Sequence, residues 1–240
     1  MNKLDNINLD EIKTKLYENL KPSGWGDKLK TFILSDDFNS ILNKLLEEAR
    51  EGKRFTPVLK QVFRAFEECP VDKLKVIIIG QDPYPYLGIA DGLAFSCSMT
   101  DKVQPSLKVI FEAVEYTIHQ EFPTYQDPNL VRWANQGVLL LNSALTCQVD
   151  KIGSHYPVWK EFMAYTMDIL NYTDTGLIFV LMGKQAQELE SMIGEHHHII
   201  KVSHPASAVY TKTTWDCGDM FNEINKIIKG QHGSEYKIHW

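Results

Sequence analysis

A carboxylate, a carboxamide and an imidazole each stand just past an apolar run of this 240-residue chain. Gln81-Asp82-Pro83-Tyr84-Pro85 follows Lys75–Gly80, Asn142-Ser143 follows Gly137–Leu141, and Ser203-His204-Pro205 follows His198–Val202. Gly183-Lys184 follows a fourth run, Leu177–Met182. A carboxylate can carry negative charge, an imidazole can accept or donate a hydrogen bond, and a carboxamide can present a donor and an acceptor together. Each also has a local explanation. Asp-Pro is a turn pair, Asn is a capping residue, and a residue before proline is extended for steric reasons. Three turns alone account poorly for all of them standing at the ends of apolar runs.

These residues need elements that converge. Short runs rich in Val, Ile and Leu, bounded by turn residues, suit strands buried on both faces. Helical periodicity occurs between and before them, at Phe38–Arg50, Val58–Phe66, Ser106–Gln120, Val158–Leu170 and Lys184–Ile193. Alternation of this kind predicts an α/β protein with a central, mainly parallel four-stranded sheet flanked by helices. In such sheets ligands bind at the carboxyl ends of the strands, where the chemistry-bearing residues stand.

Composition narrows the class. With 44% hydrophobic and 23% charged residues the chain reads as globular, expected to form one domain over 1–240, with residues 1–25 an extension of unassigned role. No apolar run approaches the ~20 residues of a membrane-spanning helix, and the N-terminus lacks a secretory pattern, so an intracellular, cytoplasmic protein is expected. Cys69, Cys97, Cys147 and Cys217 lack the close spacing of a zinc or iron–sulfur site. Net charge is −6 and the arginines are only Arg50, Arg54, Arg64 and Arg132. Nucleic-acid binding would therefore rest on a local surface rather than on overall charge.

Four motifs in register carry a resemblance. Gly80–Tyr84 (GQDPY), Gly92–Ser96 (GLAFS), Gln136–Thr146 (QGVLLLNSALT) and His204–Ser207 (HPAS) resemble the uracil-DNA glycosylase family in its principal uracil-specific branch, from about Phe63 to about Lys229. The resemblance implies a three-layer α/β fold and hydrolysis of the N-glycosidic bond of a flipped-out uracil in single- or double-stranded DNA, initiating base excision repair. It implies Asp82 and His204 as the catalytic pair, and Gln81, Tyr84, Phe95 and Asn142 as the uracil pocket. Phe95 would stack on the base, and Tyr84 would exclude the thymine methyl. Pro105, Ser106, Gly183, Lys184 and Ser207 would contact DNA. No metal or cofactor is implied, the protein would act as a monomer, and an inhibitor protein or a replication protein would be its partners. A glycosylase-fold binding or processivity subunit is the alternative.

The chain departs from the family pattern in its DNA-handling loops. Pro85 stands where histidine is usual, and the proline-rich loop keeps only Pro105. An ungapped match puts Ala206 where a phosphate-binding serine is expected and Ala208 where the wedge leucine is expected. Ser207, Val209 and Tyr210 remain alternatives after a small shift. His196-His197-His198 opens an apolar strand and is read as structural rather than as a metal site.

Overall fold

The computed structural model describes residues 7–100, 102–119, 126–173 and 176–240. Helices α1 (Leu9–Leu20), α2 (Trp25–Ile33) and α3 (Asp36–Arg50) come first, followed by the short strand β1 (Phe55–Thr56) and helix α4 (Arg64–Glu68). Next are β2 (Val76–Gly80), α5 (Pro105–Val114), α6 (Val131–Ala134), β3 (Val138–Asn142) and the short β4 (Cys147–Gln148). The chain ends with α7 (Tyr156–Asn171), β5 (Ile178–Met182), α8 (Lys184–Gln187), β6 (His198–Val202), α9 (Pro205–Thr211) and α10 (Met220–Gln231).

The central sheet has four strands in the order β3-β2-β5-β6, and every pairing is parallel. Every residue of β2, β3 and β5 is buried, which is why those strands read as unbroken apolar runs. The edge strand β6 buries only Ile200 and Val202, and its polar positions face outward. Burying one such aliphatic side chain contributes about 1.5–3 kcal/mol, so the sheet interior is the main source of cohesion. β1 and β4 form a separate antiparallel pair.

Local signals explain the helices. In α3, Ser35 caps the first turn by accepting from the Phe38 amide at 3.3 Å, and Asp36 and Asp37 lie at the positive end of the dipole. Its buried face is Phe38, Ile41, Leu42 and Leu45, the spacing of one helical stripe. Asn8 caps α1 in the same way, and Leu9, Ile12 and Leu16 pack on the core. Trp25, at the start of α2, is fully buried with its indole donating to the Cys69 carbonyl at 2.7 Å.

Three helix expectations need correction. Val58–Phe66 is not one helix, because residues Leu59–Gln61 form a 3-10 turn and α4 begins only at Arg64. Its apolar residues split, with Val58 and Leu59 exposed and Val62, Phe63 and Phe66 buried, so no single helical face unites them. Lys184–Ile193 breaks into α8 and a 3-10 turn at Glu190–Met192, where the Leu189 amide reaches back only three residues, to Ala186. Ser106–Gln120 ends its α-helix at Val114 and continues as a π-turn, Glu115–His119; Gln120 lies outside the described residues.

Candidate active site

Because the strands are parallel, Gln81, Asn142, Gly183 and Ser203 all leave the sheet at the same end. Gly80, the last residue of β2, pairs with Asn142 of β3. A Cβ at Gly80 would stand 2.9 Å from Asn142 Oδ1 and 3.1 Å from Phe95 Cζ. Only glycine lets the carboxamide and the aromatic ring approach the strand end this closely. Ser143 completes the corner, its amide and hydroxyl donating to the Gly80 carbonyl at 3.1 and 3.0 Å.

Asp82 is partly buried and uses its two oxygens differently. Oδ2 accepts from the Gly153 amide at 2.9 Å and from the Tyr156 hydroxyl at 2.7 Å. Oδ1 is buried and has no hydrogen-bond partner among the described residues. Burial pushes the Asp82 pKa up, while the Tyr156 and Gly153 donors and the nearby His155 oppose that rise. An unpartnered buried carboxylate oxygen is costly unless a ligand or water uses it.

His204 caps α9, and its Nδ1 accepts from the Ala206 amide at 3.1 Å. That bond assigns the proton of the neutral ring to Nε2, leaving an N–H to donate. Burial pushes the ring's pKa down to about 4, so it is neutral near pH 7. The His204 and Phe95 rings lie 5.6 Å apart between centroids. Gly183, at φ 90°, passes against His204, and a Cβ there would stand 2.9 Å from His204 Cβ.

Tyr84 donates its hydroxyl to the Phe95 carbonyl at 2.9 Å, which ties the first motif to the second. Phe95 adopts φ 66°, a left-handed conformation that a bulky residue takes only when its surroundings impose it. The constraint comes from Asp91, which is fully buried. Its Oδ2 accepts from Arg64 at 2.9 Å, the Ser96 hydroxyl at 2.7 Å and the Ser98 amide at 2.9 Å, and its Oδ1 accepts from the Leu93 amide at 3.2 Å. Pro85 accepts from the Asp150 amide at 2.9 Å, which holds the loop after Tyr84 to the segment leading into Gly153.

The structure therefore brings Gln81, Asp82, Tyr84, Phe95, Asn142 and His204 to one end of the sheet. The residues expected to contact DNA flank that end. Pro105 and Ser106 open α5, which packs on α9; Lys184 is exposed at the start of α8. Ser207 is exposed on α9, its hydroxyl donating to the His204 carbonyl at 2.7 Å. Of the wedge alternatives, Ala208 is 5% exposed in the core cluster, Val209 is half-buried, and Tyr210 is 80% exposed. Ala208 therefore cannot project into a ligand. Sequence reasoning missed Arg64, Asp91 and Tyr156, whose roles depend on contacts from distant segments. Among the described residues no group of three or more His, Cys, Asp or Glu side chains could hold a metal ion.

Fold and site define a class: an α/β protein whose strand ends gather a partly buried carboxylate, a neutral imidazole and a carboxamide, as in enzymes that excise bases from DNA. The chain belongs to the uracil DNA glycosylase superfamily, whose sequence model matches residues 66–229. It is 33% identical over 235 residues to the uracil-DNA glycosylase of Acinetobacter baumannii (strain SDF), covering 96% of this chain and 97% of that one. The uracil-DNA glycosylase of Christiangramia forsetii is 33% identical over 218 residues, 90% of this chain and 96% of its own. Mimivirus uracil-DNA glycosylase superposes with a TM-score of 0.80 at 27% identity, covering 94% of this chain and 87% of that one. A variant of that enzyme, crystallised in complex with UGI, also matches with a TM-score of 0.80 at 27% identity, covering 92% of this chain and 90% of that one.

Proposed function

We propose that the protein draws uracil out of DNA into the strand-end pocket and hydrolyses its N-glycosidic bond, releasing uracil and leaving an abasic site. One observation carries the reading: Asp82 Oδ1 is buried, ionisable and without a partner among the described residues at the productive end of a parallel sheet. As the bond breaks, the sugar gains positive charge and the base gains negative charge. Asp82 faces the first charge and orients the attacking water through Oδ1. A carboxylate about 4 Å from a unit positive charge contributes about 4 kcal/mol at an effective dielectric constant of 20. That corresponds to roughly a thousandfold in rate.

His204 donates from Nε2 to the uracil oxygen that becomes anionic. A neutral donor suits this role, because it stabilises the anion without first being buried as a cation. Asn142 pairs with the uracil edge, Phe95 stacks on its face, Tyr84 closes the C5 side against a methyl group, and Gln81 lines the pocket. A base with the wrong edge leaves the Asn142 carboxamide unpaired, which is where strong discrimination originates. A pure binding subunit is the weaker reading, since binding alone requires neither the aspartate nor the low-pKa imidazole.

Pro105, Ser106, Gly183, Lys184 and Ser207 contact the phosphates around the extruded nucleotide. Tyr210 fills the vacated stack, the role its exposure allows and the burial of Ala208 forbids. Residues 1–240 act as one unit and as a monomer, on single- and double-stranded DNA. An inhibitor protein is proposed as a partner because the mimivirus relative is known in complex with UGI.

A single-stranded oligonucleotide with one uracil, followed by alkaline cleavage of the abasic product, tests the reaction. The wild-type protein is expected to cut it, and Asp82→Asn to lose most of that activity. No product above the Asp82→Asn background would sink the enzyme reading.

A further inference from the structure

Both donors to Asp82 reach the same oxygen and come from one segment. Gly153 and Tyr156 bind Oδ2 at 2.9 and 2.7 Å, while Oδ1 has no partner among the described residues. A carboxylate's two oxygens are equivalent until something distinguishes them, and here the start of α7 does so.

That segment is anchored from behind. His155, the residue before α7, is fully buried. Its Nε2 lies 2.9 Å from Glu48 Oε2 of α3, and its Nδ1 lies 2.7 Å from Thr146 Oγ1. Trp159 donates its indole N–H to the same hydroxyl at 2.7 Å. The run from Trp159 through Thr146 and His155 to Glu48 gives the indole N–H, the hydroxyl and both imidazole nitrogens a partner, and such a satisfied buried network rigidifies its surroundings. The next residue, Tyr156, is thereby fixed against Asp82.

We propose that Tyr156 is a positioning residue for the glycosylase reaction, its hydroxyl bonded to Oδ2 and holding Asp82 turned so that Oδ1 alone meets the sugar and the attacking water. The inference rests on the reading of Asp82 given above. Among the described residues three titratable groups face Asp82: Tyr156, His155 and, from β4, Cys147. Burial, and then the Asp82 carboxylate, push the Tyr156 phenol's pKa up, so the phenol stays protonated and can only donate. Burial likewise raises the Cys147 thiol to about 12, leaving it uncharged. Among the described residues the hydroxyl is thus the side-chain donor that opposes the rise burial imposes on the Asp82 pKa.

The test is the pH–rate profile on the single-stranded uracil oligonucleotide for wild type, Tyr156→Phe and Asp82→Asn, with thermal melting of each. Tyr156→Phe keeps the ring and loses the donor. Its kcat is expected to fall about tenfold with KM within about twofold, and its acidic limb to move to higher pH, because the carboxylate loses a partner. If Tyr156→Phe melts below assay temperature, 3-fluorotyrosine at the same position preserves the packing. That more acidic phenol donates more strongly and should move the limb to lower pH. An unmoved limb with unchanged kcat, or a loss that follows only the folded fraction, would overturn the proposal. The two readings separate cleanly. Wild-type activity in Asp82→Asn would refute the role of Asp82 itself, whereas an inactive Asp82→Asn beside a normal Tyr156→Phe refutes only the role of Tyr156.

Discussion

At the residue scale, the position of Tyr84 is set by its own hydroxyl, which donates to the Phe95 carbonyl at 2.9 Å. Anchored at that end, the ring cannot swing aside cheaply, so a methyl group on the base would meet a fixed wall. Truncation removes the wall. Tyr84→Ala is expected to raise excision of thymine from a thymine-containing oligonucleotide above background while slowing uracil excision. Thymine excision that stays at background would show that the ring does not act by bulk. The gathering of Gln81, Asp82, Asn142 and His204 at one end of the sheet was legible in the sequence because each stands at or within two residues of the end of an apolar strand run. Tyr156 was not legible. Its bond to Asp82 spans 74 positions, and nothing in the local pattern around residue 156 distinguishes it from an ordinary amphipathic helix start.

At the element scale, the loop from Asp91 to Ser98 shows how a strained conformation is maintained. Phe95 at φ 66° is unfavourable by itself, and the hydrogen bonds converging on Asp91 hold the loop in that shape. Asp91→Ala would leave the largely buried Arg64 guanidinium without its 2.9 Å carboxylate partner. Arg64 keeps the Glu68 carboxylate at 3.2 Å, so a loss of about 1–3 kcal/mol in unfolding free energy is expected, the usual cost of leaving buried donors without their acceptor. Denaturant unfolding measures it, and a change below about 1 kcal/mol would remove Asp91 from this role. Strands β2, β3 and β5 were legible because burial on both faces demands continuous Val, Ile and Leu, whereas the edge strand β6 shows only a short apolar run with two buried positions. The segments around Val58–Phe66 and Lys184–Ile193 were misread because a 3-10 turn and a helix share nearly the same apolar period.

At the scale of the whole molecule, a net charge of −6 means that DNA binding must rest on a local surface rather than on overall charge, which fits the proposed contacts around the pocket. Tyr210 is 80% exposed on α9, one helix that also carries Ser207. Stacking an aromatic side chain on a base contributes about 1–3 kcal/mol. Tyr210→Ala should therefore slow uracil excision from duplex DNA by roughly tenfold or more while leaving single-stranded cleavage nearly unchanged. Equal losses on the two substrates would argue that Tyr210 does not fill the stack. The sequence left this choice open, because alignment by position points to Ala208, and only three-dimensional burial excludes it.

The strand order β3-β2-β5-β6 has one more consequence. Asp82 follows β2 and His204 follows β6, with β5 between them and glycine at its exit. The ends of the two strands from which these groups leave are thus set apart by two interstrand spacings, about 9–10 Å, a distance dictated by backbone hydrogen bonding. Side-chain substitution cannot rescale it. Attempts to retarget this scaffold to a larger base will have to work through the loop at residues 84–95 and through α9, within a gauge that the sheet does not allow to change.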